Sequence, residues 1–195
     1  MKTMTETLRP TVASLTLFTL LCGVAYPIFS TAMLQSLYAS KTEGSLIVGK
    51  DGKVLGSELI GQNFSDPKYF WGRLSATSPY AYNAINSSGS NFGSNNPALM
   101  DAVKGRVEAL KAADPSNSKP IPIDLATASG SGIDPHISPA AAEYQIVRVA
   151  KARGISETVL RQLMEKYTEG RQLSVLGEPT VNVLKLNLAL DGKID

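Results

Sequence analysis

The residues best suited to chemistry lie together in one stretch that is rich in small side chains. Ser129, Ser131, Asp134 and His136 fall within eight residues of one another, and His136 is the only histidine in the chain. A serine nucleophile, a histidine base and an aspartate that orients the base are the components of a hydrolase triad. One hypothesis is therefore a hydrolase that uses Ser129 or Ser131 together with His136.

The spacing of these residues is unfavourable for a triad, because triad members usually come from separate elements that converge. The nucleophile elbow Gly-x-Ser-x-Gly is also missing. The small residues could instead cradle an anion with backbone N–H groups, but the stretch has no lysine and lacks the phosphate-loop pattern. The simplest interpretation is structural: Gly130 and Gly132 supply unusual backbone angles, and His136 makes an ordinary hydrogen bond.

Composition excludes several other kinds of site. The chain has 195 residues, a formal net charge of +2 and no cluster of Lys and Arg, which argues against a nucleic-acid surface. Its one cysteine, Cys22, lies in an apolar segment, so the rest of the chain can form no disulfide. One histidine cannot build a histidine-based metal cluster. We therefore predict neither a metal site nor a catalytic residue.

Two other stretches suggest binding to another protein. Residues 61–73 combine polar amides with clustered aromatic side chains, and aromatic residues and arginine are frequent in interface hot spots. Residues 75–96 form a long uncharged segment, and loops of this length in a compact domain are usually functional or disordered. The alternatives are core positions for Phe64 and Phe70 and packing of the loop on its own domain.

An apolar segment precedes all of these residues. No charged residue occurs from Pro10 to Ser40, and about 20 residues suffice to cross the hydrocarbon core. We predict a transmembrane helix over residues 11–34. A signal peptide cleaved after Ala32 is the alternative, although the apolar stretch is long for one. The positive charges on the two sides leave the orientation open.

The rest of the chain, residues 35–195, is predicted to be one soluble mixed α/β (α+β) domain. Asp51-Gly52 between two apolar runs indicates a hairpin of residues 46–48 and 54–55. Capping residues predict three helices, which run from Asn96-Pro97 to just before Asp114, from Ser138-Pro139 to Arg153, and from Ser156 to Gly170. Strands are predicted over Ile121–Thr127 and, from alternating leucines, over Val181–Leu190.

The longest motifs follow one order along the chain: Leu59–Phe64, Tyr69-Phe70, Gly72–Ala76, Ser90-Asn91, Asn96-Pro97, Thr127–Pro139, Arg148–Arg153 and Val181–Asp191. In this order, and over nearly the whole chain, they resemble the C subunit (KdpC) of the Kdp potassium-transporting P-type ATPase. Leu74 stands where that family usually has proline, and Ser88 departs from its usual Ser-Gly-Gly-Ser-Asn loop.

The resemblance implies a non-catalytic subunit of an ATP-driven potassium uptake complex, needed for its assembly and activity. The implied partners are a channel-like potassium-binding subunit and a P-type ATPase subunit, which would handle potassium and ATP without a cofactor bound to this chain. It also implies a retained single-pass helix in the bacterial inner membrane, in contact with lipid. Residues 1–10 would then be cytoplasmic and residues 35–195 extracytoplasmic.

The family is also described as assisting ATP binding by the pump subunit, which an outer domain could do only through coupling between distant sites. The candidate partner contacts are Gln62, Asn63, Phe64, Tyr69, Arg73, Ser90, Asn91, Asn96, Asp134 and His136. The alternative function is a membrane-tethered extracytoplasmic serine hydrolase.

Overall fold

The computed structural model describes residues 4–195 and contains two compact units, which divide between Leu46 and Ile47. The first unit is helical: α1 (Met4–Leu20) continues through a π-helical turn (Leu21–Ala25) into α2 (Tyr26–Leu37), and a short α3 (Ala39–Thr42) follows. The prediction of one N-terminal apolar helix followed by a soluble unit of mixed helices and sheets is confirmed.

The apolar helix is long enough to cross a membrane. It extends over Glu6–Leu37, 32 residues, which at 1.5 Å per residue is about 48 Å, more than the roughly 30 Å of a hydrocarbon core. The hydroxyls of Thr11, Ser14 and Ser30 donate to carbonyls three or four residues back. These polar groups are therefore satisfied within the helix, as a lipid environment requires.

Proline explains the π-helical turn. Pro27 has no N–H, and its ring would clash with the carbonyl of the residue four positions back in a regular α-helix. The widened turn Leu21–Ala25 contains Gly23, the residue four positions before Pro27, and such turns accommodate this kind of local misfit. The helix continues past the proline to Leu37.

The second unit contains two small sheets. β1 (Leu46–Val48) pairs with β2 (Val54–Ser57), and Gly52 takes a positive φ of 78° in the turn between them, so the predicted hairpin is confirmed.

The helices and the remaining strands, in chain order, are α4 (Pro97–Ala113), α5 (Ile123–Ala126), β3 (His136–Ile137), α6 (Pro139–Arg153), α7 (Glu157–Lys166), β4 (Thr168–Glu169), β5 (Thr180–Asn182) and α8 (Val183–Leu190). β5 lies between β3 and β4 and is antiparallel to both.

Helix caps lie where the sequence predicts them. Asn96 accepts a hydrogen bond from the N–H of Ala98, Ser138 from that of Ala141, and Ser156 from that of Val159. α6 ends at Gly154, which has a left-handed conformation with φ of 66°. α7 ends at Lys166 rather than at Gly170, because Thr168 and Glu169 pair with β5.

Two predicted strands are wrong. Residues 123–126 form α5, and residues 183–190 form α8, capped by Asn182. The alternating leucines of α8 mislead because this helix is buried on more than one side. Leu186 belongs to the main core, whereas Leu184 and Leu188 form a second cluster with Ile47. A helix that is apolar on most sides loses its 3.6-residue pattern.

Candidate partner-binding site

Residues 66–73, here called the aromatic segment, have almost no regular secondary structure but are firmly held. Each carbonyl from Asp66 to Arg73 accepts a hydrogen bond from a side chain. The donors, in the order of these carbonyls, are Trp71, Arg148, Arg153, Arg148, Asn187, Gln145, Arg106 and Tyr82. Side chains thus supply the hydrogen-bond donors that backbone N–H groups supply to carbonyls in helices and sheets.

Two buried amides hold the centre of the aromatic segment. The N–H of Trp71 donates to Oε1 of Gln145 at 2.8 Å, and Nε2 of Gln145 donates to the carbonyl of Trp71 at 3.1 Å. Asn187 makes the same pair of bonds with Phe70, both at 2.9 Å. Phe70 is fully buried and Trp71 nearly so. Phe70 is therefore a core residue, which was the alternative considered from the sequence.

Two arginines pack on the indole of Trp71. The guanidinium carbon of Arg148 lies 4.6 Å from the ring centroid and that of Arg106 lies 5.1 Å from it. Burial lowers the pKa of Arg148 to about 10. Its charge is thus retained at neutral pH, where it binds the carbonyl of Tyr69 at 3.0 Å.

The candidate contacts before Arg73 differ in their freedom to meet a partner. The Tyr69 hydroxyl donates to Asp191 at 2.9 Å, and its ring lies 5.1 Å from that of Phe64. Gln62 donates to the carbonyl of Leu55 at 2.9 Å. Asn63 is exposed, and its side chain makes no hydrogen bond within residues 4–195. Of these residues, Asn63 has the freest side chain.

The structure brings Arg73, Asp134 and His136 together. Nη1 of Arg73 lies 3.4 Å from Oδ2 of Asp134, while Oδ1 of Asp134 accepts the backbone N–H of His136 at 2.9 Å and lies 3.3 Å from its Nδ1. Burial opposes ionisation of Asp134, but hydrogen bonds from His136 and the charge of Arg73 outweigh it, so its pKa lies below its ordinary value. These residues line a depression of about 430 Å³ together with Asp124 and Glu178.

The serines of the hydrolase hypothesis make local bonds. The Ser129 hydroxyl is buried and accepts the N–H of Gly132 at 2.9 Å, and that of Ser131 accepts the N–H of Ile133 at 3.2 Å. Within residues 4–195 neither hydroxyl bonds to His136, whose Nδ1 faces Asp134. Neither serine is therefore a nucleophile bonded to a base in the described part of the chain.

The uncharged loop, residues 75–96, packs on its own domain along one edge. The Ser75 hydroxyl donates to the carbonyl of Gly132 at 2.6 Å, and the N–H of Ser88 donates to that of Ser131 at 2.9 Å. Gly132 has a positive φ of 71°, an unusual backbone angle as predicted, whereas Gly130 has no positive φ.

The outer edge of the uncharged loop is open. Ile85 is 93 % exposed, and Tyr80 and Phe92 are also exposed. Ser90 is half-buried and Asn91 exposed, whereas the Asn96 side chain is occupied as the cap of α4. The loop is thus folded on one edge and available to a partner on the other.

A second exposed apolar feature escaped the sequence analysis. Residues 170–178, here called the apolar hairpin, leave Leu173 88 % exposed, with Val175 and Leu176 also exposed. Gln172 and Leu176 exchange backbone hydrogen bonds of 2.8 and 2.9 Å, and Arg171 pairs with Glu178 at 2.7 Å. The signal available in the sequence was the run Leu173–Leu176, four apolar or small residues in the stretch between Gly170 and Gly177.

Replacing Asp134 with Asn should make the free energy of unfolding less dependent on pH in the acid range. Because the folded-state pKa of Asp134 lies below its ordinary value near 3.8, its contribution is complete above that value and is lost as the pH falls through the folded pKa. We expect a loss of about 1 kcal/mol at pH 7 that shrinks towards pH 3. Urea unfolding of the full chain in detergent between pH 3 and 7 measures this.

The matched control is Asp101→Asn. Asp101 is exposed on α4 and makes no hydrogen bond or ion pair in the described part of the chain, so this variant should follow the wild type at every pH. An Asp134→Asn variant that parallels the wild type down to pH 3 would contradict the prediction.

One apolar helix and a soluble unit with exposed apolar surfaces define a membrane-associated protein suited to contacts with other molecules. The family described as "KdpC: K+-transporting ATPase, c chain" matches residues 8–192. The chain belongs to this family and is accordingly a subunit of a potassium-transporting ATPase complex.

Close relatives agree. Each is called "Potassium-transporting ATPase KdpC subunit". The protein of Methylococcus capsulatus is 62 % identical, over 94 % of this chain and 96 % of its own length. That of Sorangium cellulosum is 60 % identical over 95 % and 97 %, and that of Dechloromonas aromatica 60 % identical over 94 % and 96 %.

Proposed function

We propose that this chain holds together a channel-like potassium-binding subunit and a P-type ATPase subunit, and that the complex is neither stable nor active without it. The apolar hairpin carries the proposal. It presents aliphatic side chains to solvent from a hydrogen-bonded hairpin, although burying each such side chain is worth about 1.5–3 kcal/mol. Exposed apolar features of this kind mark protein-binding surfaces.

The backbone of the apolar hairpin supports a role in docking. Leu173 and Ser174 take positive φ values of 52° and 62°, which are unfavourable for residues other than glycine. The hydrogen bonds between Gln172 and Leu176 hold this shape in the free chain. A loop already fixed in its bound form loses little entropy when a partner covers it.

The same proposal gives the chain its place in the cell. The apolar helix is retained in the bacterial inner membrane, in contact with lipid and with partner helices, with its N-terminus in the cytoplasm and the second unit outside. Potassium and ATP are handled by the partner subunits, and this chain binds no cofactor directly. Any effect on ATP affinity then reaches the nucleotide site as a coupling through the complex.

Replacing Leu173 with Asp should prevent stable assembly. A carboxylate at the tip would have to lose its hydration in an apolar contact, so we expect at least a tenfold lower yield of partner subunits on purification through a tag on this chain. Potassium-stimulated ATP hydrolysis should fall in parallel. Because Leu173 is exposed, the free chain should keep its stability.

Val159→Asp is the matched control. Val159 is an exposed aliphatic residue near the start of α7, where an acidic side chain is well tolerated, so assembly should be unchanged. If Leu173→Asp purified with its partners as well as this control did, the hairpin would be excluded as a contact. A fully active complex that lacked the chain altogether would refute the function itself.

A further inference from the structure

A small polar cavity lies between the aromatic segment, α4 and the uncharged loop. Its volume is about 100 Å³, and Asn63, Arg73, Tyr82 and Arg106 are among the residues that line it. One water takes about 30 Å³, so the cavity has room for a small ion and one or two waters. Its lining combines two guanidinium groups with an amide, all of which donate hydrogen bonds.

The charge around this cavity is unbalanced. Arg73 forms one ion pair in the described part of the chain, with Asp134 at 3.4 Å. Arg106 forms no ion pair within residues 4–195 and instead donates to the carbonyls of Leu125 and Gly72 at 2.9 and 2.6 Å. Within residues 4–195 the two cations therefore have one ion-paired carboxylate between them, in a partly desolvated place where an uncompensated charge is costly.

Tyr82 covers the cavity without supplying the missing negative charge. Its hydroxyl donates to the carbonyl of Arg73 at 2.7 Å, and a Cβ atom at Gly72 would lie 2.5 Å from that hydroxyl, so only glycine fits beneath the ring. Burial raises the pKa of Tyr82 to about 12, which keeps the phenol neutral at physiological pH. Within residues 4–195, the positive charge of Arg106 thus meets the Trp71 ring and two carbonyls but no carboxylate.

One donor of Arg73, a residue that lines the cavity, is also unsatisfied. Nε of Arg73 is buried and has no hydrogen-bond acceptor, whereas its Nη1 and Nη2 bond to Asp134 and the carbonyl of Ala128. A buried N–H without an acceptor costs free energy. A nearby negative charge stabilises such an underpaired guanidinium, whereas a neutral water in the cavity would leave the charge of Arg106 uncompensated.

We propose that a monovalent anion the size of chloride binds in this cavity between Arg73 and Arg106. The ion lies beside the underpaired guanidinium of Arg73 and balances the charge of Arg106. It thereby ties the aromatic segment to α4. A polyatomic organic anion such as gluconate is too large to enter.

Thermal unfolding of the full chain in detergent tests this. Chloride replaces gluconate at constant ionic strength, and the unfolding midpoint should rise by a few degrees and then saturate, as expected for a ligand of the folded state. Bromide should act in the same way. Arg106→Gln should remove the chloride dependence, whereas Arg161→Gln, in a surface pair with Glu143 and Glu157, should keep it.

Crystals of the wild-type chain grown in bromide give an independent measurement, which decides the matter if Arg106→Gln fails to fold. An anomalous peak between Arg73 and Arg106 is the expected result. Water alone in the cavity, or equal unfolding midpoints in chloride and gluconate, would overturn the proposal.

Discussion

Replacing Gln145 with Leu should destabilise the chain by about 3–5 kcal/mol, because several buried groups would lose their partners at once. Oε1 of Gln145 accepts the N–H of Trp71 at 2.8 Å and Nη2 of Arg148 at 2.6 Å, and its Nε2 donates to the carbonyl of Trp71. Leucine has a similar size but offers no hydrogen bond. The buried N–H of Trp71 and part of a buried cation would then remain without acceptors.

Urea unfolding of the full chain, followed by tryptophan emission, measures this loss. Trp71 is the only tryptophan in the chain and lies at the altered contact. Its emission therefore reports both unfolding and any local loosening in the folded state. The free energy of unfolding should fall, and the native emission should shift towards that of a hydrated indole.

Gln62→Leu is the control, since it removes the same functional group from an exposed position. Gln62 makes one hydrogen bond, to the carbonyl of Leu55, so its loss should cost no more than about 1 kcal/mol. Equal losses in the two variants would show that the aromatic segment does not depend on its buried amides.

Local chemistry explains which elements were predictable. The helices α4 and α6 begin at Asn-Pro and Ser-Pro pairs, and the capping bond and the fixed φ of proline act within one turn, so the sequence alone specifies them. The hairpin at Asp51-Gly52 is determined in the same local way. The apolar helix follows from its length and lack of charge.

α8 could not be predicted because its environment is set by distant residues. Asn187 lies between leucines and was interpreted as a solvent-facing position of a strand. In the structure it is buried and binds Phe70, more than a hundred positions earlier in the chain. A polar residue that serves as a buried partner cannot be told from an exposed one by periodicity.

Parts of the candidate binding surfaces also depend on residues that are distant in the sequence. The bond between Asp134 and His136 is local, but the approach of Arg73 to Asp134 depends on the packing of the aromatic segment against residues 128–134, which no spacing rule gives. Leu173 and Val175 have the residue types of a core, and their exposure appears only once β4 and β5 are paired and the chain between them projects outward.

Gly132→Ala is expected to cost about 2–4 kcal/mol, since two separate penalties act at one residue. Gly132 has a φ of 71°, which is unfavourable for alanine. A Cβ there would lie 2.5 Å from the carbonyl oxygen of Ser88 and 2.6 Å from Cγ2 of Thr77. The backbone of the uncharged loop would have to move away, and its hydrogen bond from Ser88 to Ser131 would be strained or lost.

Gly130→Ala separates these penalties from the general effect of adding a methyl group. Gly130 lies two residues away, has no positive φ, and a Cβ there would meet nothing within 4 Å. Its change in stability should stay within about 0.5 kcal/mol. Urea unfolding gives the free energies, and hydrogen exchange at Ser88 reports the loop directly. A Gly132→Ala variant as stable as Gly130→Ala, with unchanged exchange at Ser88, would mean that the loop is not held by this contact.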